Sequence, residues 1–133
     1  AKDNINKASD DTGVADATDA GKLAIDKVSA KAAIDGALTE KNNSIDTAPN
    51  LTDEEKKAVK EQANKAADNA KSAINTAQDN DAVKKAQTDG VNNINGITVP
   101  TDSDVKKNAN SDLAKTAAAA KQAIDKTSGL TAD

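Results

Sequence analysis

The feature that most constrains the fold of this chain is an internal repeat. Residues 1–29 align without a gap with residues 70–98, at an offset of 69. The identical pairs are Ala1/Ala70, Lys2/Lys71, Ile5/Ile74, Asn6/Asn75, Ala8/Ala77, Asp10/Asp79, Val14/Val83, Ala17/Ala86, Gly21/Gly90 and Ile25/Ile94. Many of these positions are apolar or small and recur every three or four residues, which is typical of a buried helix face.

A second alignment continues the first. Residues 30–54 match residues 109–133 at an offset of 79, so the second copy carries a ten-residue insertion near 98–108. A fixed period of this kind indicates an array of repeated units. We therefore predict two units, residues 1–69 and a shorter unit at 70–133.

The clearest single helix is predicted at residues 52–77. Thr52 and Glu55 have the spacing of a capping box, in which each side chain bonds the backbone N–H of the other residue. The predicted seam has spacings of three and four residues and consists of Val59, Ala63, Ala66, Ala70, Ala73 and Ala77. Because alanine lets neighbouring helices approach closely, we expect this helix to pack against other helices.

Periodicity predicts five further helical segments. In the first unit they are residues 1–9, as the end of a preceding helix, then 14–28 and 30–47. In the second unit they are 81–96 and 104–127. The residues predicted to start or end these helices are Asp11 or Thr12, Asp102 or Ser103, and Ser128 with Gly129.

Each copy is predicted to turn the same positions inward. They are Val14, Ala17, Gly21, Ile25 and Val28, with copies Val83, Ala86, Gly90, Ile94 and Ile97, and then Ile34, Leu38 and Ile45, with copies Leu113, Ala117 and Ile124. In the second copy Ala120 is predicted to face inward as well. A glycine costs roughly 1 kcal/mol inside a helix. The recurrence of Gly21 as Gly90 therefore predicts a helix crossing too tight for a side chain.

Two points of the architecture stay open at this level. Residues 27–31 contain neither Gly nor Pro, so segments 14–28 and 30–47 are either two helices or one long helix. Helix 52–77 could close on the pair of helices before it, on the pair after it, or bridge both. The prediction common to these alternatives is an all-α chain of tandem three-helix bundles stacked as an elongated rod.

Composition narrows the classes of function. Hydrophobic residues make up 36% of the chain, most of them alanine, and there is no Phe, Tyr, Trp, Met, Cys, His or Arg, so we expect a thin core. Disulfides and thiolate metal sites are excluded. The net charge of -4 and the lack of aromatic residues argue against nucleic-acid binding. No apolar run reaches membrane-spanning length, and no signal peptide is visible.

Short motifs that resemble chemical sites have simpler explanations. Ser103 and Lys106 have the S-x-x-K spacing of serine acylases, but a helix cap explains the serine. The acidic clusters 79–81 and 102–104 lack the glycine and glutamate of a calcium loop, so capping explains them too. We therefore predict no catalytic, cofactor-binding or metal-binding residues, no cofactor, and no enzyme activity.

Two surface features also have ordinary interpretations. The acceptor sequences at 42–44 and 50–52 match N-glycosylation sites, although Thr52 already has a capping role. The lysine pairs 56/57, 84/85 and 106/107 are read as solvated helix faces. Ion pairs at i,i+4 are expected between Asp53 and Lys57 and between Glu61 and Lys65.

Four sequence blocks carry a resemblance to a known family. They are AKxxIxxA at 1–8, VxxAxxxGxxxI at 14–25, AKxAIDxALxxKNxxID at 30–46 and LTDEEK at 51–56. These blocks resemble the three-helix repeats found in tandem in wall-anchored surface adhesins of Gram-positive cocci and lactobacilli, as in the giant extracellular-matrix-binding protein, and catalogued as a domain of unknown function. The resemblance implies an extracellular, cell-wall-attached location and a stalk or adhesive role.

Two functions are expected from the repeat and the resemblance together. The first is a non-catalytic spacer that projects an adhesive domain from the cell wall. The alternative is a binding module for host matrix or plasma proteins, or for self-association between cells in a biofilm. The expected partners are neighbouring repeats, the chain itself being monomeric. Because residue 1 opens within a helical pattern and residues 129–133 resemble a helix start, we expect the chain to be a piece of a longer protein.

Overall fold

Five helices follow one another in the computed structural model, which describes the backbone of residues 1–132 and the side chains of residues 1–129. They are α1 (Lys2–Lys7), α2 (Asp11–Asp46), α3 (Asp53–Thr76), α4 (Asn80–Asn95) and α5 (Asp104–Ala132). The described part of the chain contains no strand. The predicted all-α fold is confirmed.

A three-helix bundle lies at the centre of the chain. Helices α2, α3 and α4 each pack against the other two, and α1 packs against α2. The core is built around Ile34, Ile74 and Ile94, whose side chains are fully buried. Helix α3 therefore closes on the helix before it and on the helix after it. Since α4 lies in the second predicted unit, the bundle combines segments of both sequence copies.

Alanine fills most of the remaining core. The small or short apolar side chains that complete the main cluster are Ala30, Ala37, Ala67, Ala70, Ala77 and Val83. The predicted seam of α3 is partly wrong, because Ala73 is exposed and Ala66 only half-buried, while Ala67 and Ile74 are buried. Turning the helix slightly places the larger isoleucine in the core, where its burial gains more free energy than that of alanine.

Two helices run further than their predicted segments. Segments 14–28 and 30–47 form the single helix α2, because nothing between them interrupts the backbone hydrogen bonds. Helix α5 passes Ser128 and Gly129, which were predicted to end it, and continues to Ala132. A single glycine without a nearby proline costs only about 1 kcal/mol in a helix.

Side chains cap four of the helix starts. Asp10, and neither Asp11 nor Thr12, caps α2 by accepting a hydrogen bond from the Gly13 N–H (2.7 Å). Its copy Asp79 caps α4 in the same way. The capping box predicted for Thr52 and Glu55 is present at the start of α3. Ser103 caps α5, where its Oγ accepts from the Lys106 N–H (3.0 Å).

The two repeated glycines mark close helix crossings, as predicted. A Cβ atom at Gly90 would lie against the Ala70 Cβ and 2.7 Å from the Ile34 Cδ1. A Cβ atom at Gly21 would lie 2.9 Å from the Ala1 Cβ. Because Ala1 and Ala70 are also repeat partners, α1 crosses α2 in the way that α3 crosses α4.

Several positions predicted to face inward are exposed. They are Val14, Ile25, Val28, Leu113 and Ile124, with Ala117 and Ala120 also exposed. The physical reason is the lack of covering helices within the described residues. The six-residue α1 crosses the N-terminal half of α2 at Gly21, and Leu23 of that half packs against the bundle core, whereas α5 packs against no other helix.

Candidate functional site

The most organised polar cluster lies where the bundle meets α5. Its centre is the Glu55 carboxylate, in the first turn of α3. One oxygen, Oε2, accepts a hydrogen bond from the Thr52 N–H (2.9 Å) and completes the capping box. The other, Oε1, accepts from the Ser103 hydroxyl (3.0 Å) and from the Val105 N–H (3.2 Å). A single carboxylate therefore joins the N-termini of two helices.

The surroundings of Glu55 favour its charged form. The backbone N–H of Thr52 lowers the pKa of the Glu55 carboxyl most strongly, partial burial opposes this, and the bonds from Val105, Ser103 and the Thr52 hydroxyl lower it further. Hydrogen bonds to a carboxylate stabilise the ionised state. The net pKa of Glu55 lies below its ordinary value.

Two loops surround this junction. The Asn50 Nδ2 donates to the Thr101 carbonyl (3.0 Å), which ties the α2–α3 loop to the α4–α5 loop. Ser103 is only 3% exposed, and Leu51 of the α2–α3 loop is also buried. The cluster holds the start of α5 at a defined place on the bundle.

A second set of polar contacts uses lysines to cap helix C-termini. The last turns of α2, α3 and α4, all fully described, contain no basic residue of their own. A lysine of another helix provides the positive charge instead. Two lysines of α2 do so, Lys27 donating to the Asn75 carbonyl at the end of α3 and Lys41 to the Asn95 and Ile97 carbonyls at the end of α4. Lys56 of α3 donates to the Asp46 carbonyl at the end of α2, and all these distances are 2.8 to 3.0 Å. Positive charge at a helix C-terminus complements the macrodipole.

The motifs considered in the sequence keep their structural interpretations. The Ser103 hydroxyl is used by Glu55 and by the backbone of Lys106, so its bonds are those of a cap. Asp79 bonds the Ala82 N–H. Among the described residues, no group of three or more acidic, histidine or cysteine side chains could hold a metal ion. No helix described here is long and apolar enough to cross a membrane.

The predicted acceptor asparagines differ in their surroundings. Asn42 is half-buried, and its Oδ1 is enclosed without a hydrogen-bond partner among the described atoms. Asn50 is exposed but takes part in the loop contact described above.

Both ion pairs expected within α3 are absent from the described structure. Lys57 and Lys65 are both exposed, and exposed i,i+4 pairs gain little free energy, so little holds these pairs together. Two other lysines of α3 pair with carboxylates of α2: Lys60 with Asp46 (2.5 Å) and Lys71 with Asp35. Two other i,i+4 pairs are present, between Lys85 and Asp89 and between Lys121 and Asp125.

The grooves of the bundle are open and shallow. One of them lies between α3 and α4, and Ala70, Ala73, Gly90, Lys65 and Asp89 are among the residues that line it. Such a groove offers little apolar area to a small molecule, which is usually held in an enclosed pocket.

Sequence reasoning found Glu55 only in part. The spacing to Thr52 predicts the capping box, but the bonds to Ser103 and Val105 join residues 48 and 50 positions apart. The caps made by Lys27 and Lys41 also join residues 48 to 56 positions apart, whereas Lys56 and Asp46 are ten positions apart. No local pattern reports such contacts, because they depend on how the helices are placed in the bundle.

Comparison with known proteins gives one match. A family model described as Domain of Unknown Function (DUF1542) matches residues 26–102. This range begins shortly before Ala30, the first core residue of α2, and ends next to Ser103, the cap of α5. The matched unit therefore coincides with the central bundle. No curated protein and no solved structure matches the chain.

Proposed function

The chain belongs to the family described as Domain of Unknown Function (DUF1542), and we propose that it is a non-catalytic spacer of a bacterial cell-surface protein. In this proposal, helical bundles of this type are stacked end to end as a rod. The rod holds an adhesive domain away from the cell wall, so the proposed location is extracellular and wall-attached. The resemblance of the repeated blocks to tandem repeats of wall-anchored proteins supports that location.

The observation that carries the proposal is the course of α2. Its 36 residues span about 54 Å. The C-terminal half supplies the buried core side chains of the central bundle, and the N-terminal half, from which Leu23 packs against that core, is crossed by α1 at Gly21. One unbroken helix thus connects two successive helix crossings of the same kind. A connection through a helix resists bending more than a connection through a loop.

The chemistry of the surface fits a spacer better than a catalyst. Glu55 is engaged in capping, and the grooves are open. Among the described residues, the buried side chains are aliphatic or alanine apart from that of Ser103, which caps α5. A catalytic site needs an acid, base or nucleophile placed beside a bound substrate, and these residues do not offer one.

Small-angle X-ray scattering on the whole chain tests the rod directly. A compact domain of this length has a radius of gyration of about 14 Å. Two stacked units, each as long as a helix of about 25 residues, make a rod of about 75 Å with a radius of gyration of roughly 22 Å. We expect the larger, rod-like value at concentrations where the chain is monomeric. The smaller, compact value would mean that α5 and the N-terminal half of α2 fold back, and the spacer proposal would be abandoned.

The second candidate function is adhesive binding, either to host matrix or plasma proteins or to other copies. Two exposed apolar faces favour it, one with Ile25 and Val28 on α2 and one with Leu113 and Ile124 on α5, because exposed apolar patches commonly mark binding surfaces. Immobilised fibronectin, fibrinogen and collagen would be titrated with the isolated chain. Saturable binding to one of them would favour the adhesive function over a pure spacer.

A further inference from the structure

Two apolar helix faces are left uncovered by the described part of this chain. On α5, Leu113 and Ile124 are 66% and 64% exposed. They are eleven residues apart, which places them about 20° from each other around the helix. On the N-terminal half of α2, Ile25 and Val28 are 64% and 69% exposed. Neither face is covered by another helix of the described residues.

The repeat shows what covers each face elsewhere in the same chain. Leu113 and Ile124 are the copies of Ile34 and Ile45, which are both fully buried. Ile25 is the copy of Ile94, which is also fully buried. In the bundle, helices α3 and α4 cover the face of α2 that carries Ile34. The α5 face therefore matches a surface made by helices like α3 and α4.

The N-terminal half of α2 together with α1 presents part of such a surface. At Gly90, the notch in α4 is closed by Ala70 of α3 and by Ile34 of α2. At Gly21, the copy of Gly90, Ala1 alone among the described residues lies within 4 Å of the Cβ position. The side of the notch where the third helix lies in the bundle is open.

The segments that carry the two faces have opposite net charge. Residues 1–28, which include α1 and the N-terminal half of α2, carry six Asp and four Lys, whereas residues 104–127 of α5 carry five Lys and three Asp. The first segment is therefore negative and the second positive. Complementary charge favours the encounter of two surfaces and disfavours the pairing of either surface with itself.

We propose that α5 of one copy of this chain docks onto α1 and the N-terminal half of α2 of a second copy. Leu113 then lies over Gly21 as Ile34 lies over Gly90, and the three segments reproduce the arrangement of the central bundle. The inference rests on the proposed stacking, to which it adds a partner and a contact surface. Because the two faces lie on different parts of the chain, the contact is head-to-tail and does not close, so it generates open-ended chains.

Sedimentation equilibrium on the intact chain tests the docking. From about 10 μM to about 1 mM, we expect the weight-average mass to rise continuously and to exceed that of a dimer. The double variant Leu113→Asp/Ile124→Asp should stay monomeric over this range. Its matched control is Ser111→Asp/Gln122→Asp, which adds the same charge at the same spacing on the opposite side of α5 and should associate like the original chain.

A mixing experiment tests the direction of the contact. The variant Ile25→Asp/Val28→Asp removes the α2 face and should also be monomeric alone. Mixed in equal amounts with Leu113→Asp/Ile124→Asp, it should form a one-to-one dimer that grows no further, because each chain then retains one complementary face. Thermal melts should show an unchanged bundle in both variants, since these side chains lie outside its core.

Three results would overturn the inference. They are a monomeric original chain up to about 1 mM, equal loss of association in the Ser111→Asp/Gln122→Asp control, and a mixture that stays monomeric. The spacer proposal has a separate test, because a rod-like radius of gyration in dilute solution supports the rod whether or not copies associate. A rod-like chain that stays monomeric would keep the rod and reject the docking.

Discussion

Glu55 has two carboxylate oxygens, and each serves the start of a different helix. Oε2 accepts from the N-terminus of α3, and Oε1 accepts from Ser103 and Val105 at the start of α5. The unsatisfied N–H groups of a helix start need acceptors, and an anion is favoured there by the macrodipole. Because α5 packs against no other helix in the described chain, this side chain is a principal link between α5 and the bundle.

Replacing the charge of Glu55 is expected to loosen that link. Glu55→Gln removes the anion that both helix starts use, so the first-turn amides of α5 should exchange faster with deuterium and the melting temperature should fall. Glu54→Gln is the matched control, since Glu54 lies in the same turn and is exposed. Equal exchange rates at residues 105–107 in the two variants would contradict the role of Glu55.

The same contact predicts a pH dependence of stability. The pKa of Glu55 is lower in the folded chain than in the unfolded chain, so its contribution to stability is present above the unfolded value. It is lost as the pH falls through the lowered folded value. In urea unfolding at a series of pH values, the stability difference between the original chain and Glu55→Gln should shrink towards acid pH. A difference that is constant with pH would exclude the carboxylate as its cause.

At the scale of helices, the sequence predicts where a helix forms better than it predicts which side of that helix packs against the others. Helix α3 follows from its capping box and from apolar spacing, and the observed bounds differ from the prediction by one residue at each end. The buried face of α3 was harder to predict than its bounds, since alanines lie both on that face and next to it. Only the larger side chain of Ile74 shows which way the helix is rotated about its axis. The sequence contains no motif that predicts the continuity of α2, because the only indication of an unbroken helix is that no Gly or Pro interrupts residues 27–31.

Burial of the repeat positions could not be predicted from the repeat itself. Ile25 and Ile94 are aligned copies, yet one is exposed and the other fully buried. The difference is whether a third helix lies over the position, which is a property of the assembled bundle. The junction site was missed in part for the same reason, since the bond between Glu55 and Ser103 needs α3 and α5 to meet.

Two glycine-to-alanine substitutions are expected to change the free energy of unfolding in opposite directions, one at a helix crossing and one on an exposed helix surface. Gly90→Ala improves helix propensity but places a Cβ against Ala70 and 2.7 Å from the Ile34 Cδ1, so α3 and α2 must move away. Overpacking of this kind costs about 1 to 3 kcal/mol. Gly36→Ala, on an exposed side of α2 with no described atom within 4 Å, should stabilise the chain. The gain there is about 0.4 to 1 kcal/mol.

Urea unfolding followed by circular dichroism measures both variants. The expected result is a lower midpoint for Gly90→Ala and a higher midpoint for Gly36→Ala, with similar slopes. If Gly90→Ala were as stable as Gly36→Ala, the close crossing of α3 and α4 would be wrong, and the glycine would need another explanation.

At the scale of the whole molecule, α2 is the element that relates one bundle to the next. Its first fully buried core side chain is Ala30, and the crossing with α1 lies nine residues earlier, at Gly21. Between them Leu23 packs against the bundle core, Asp26 and Lys27 are half-buried, and Lys27 donates to the C-terminus of α3. The stiffness of the proposed rod therefore depends on the helical hydrogen bonds of this segment together with these few contacts.

Breaking those hydrogen bonds should bend the molecule without unfolding the bundle. Ser29→Pro removes one N–H donor and forces the ring against the preceding turn, which kinks or breaks a helix. Because the chain has no cysteine, Thr12→Cys and Ser44→Cys can carry two spin labels, on exposed positions near the two ends of α2. A continuous helix places their backbones about 48 Å apart, so electron double resonance should show a narrow distribution of distances near that value.

With Ser29→Pro we expect a broader distribution of distances, shifted to shorter values, whereas the control Ser29→Ala should leave the distribution narrow. An unchanged distribution in Ser29→Pro would mean that contacts outside α2 hold its two halves in line, and the helix would then not be what sets the direction of the rod.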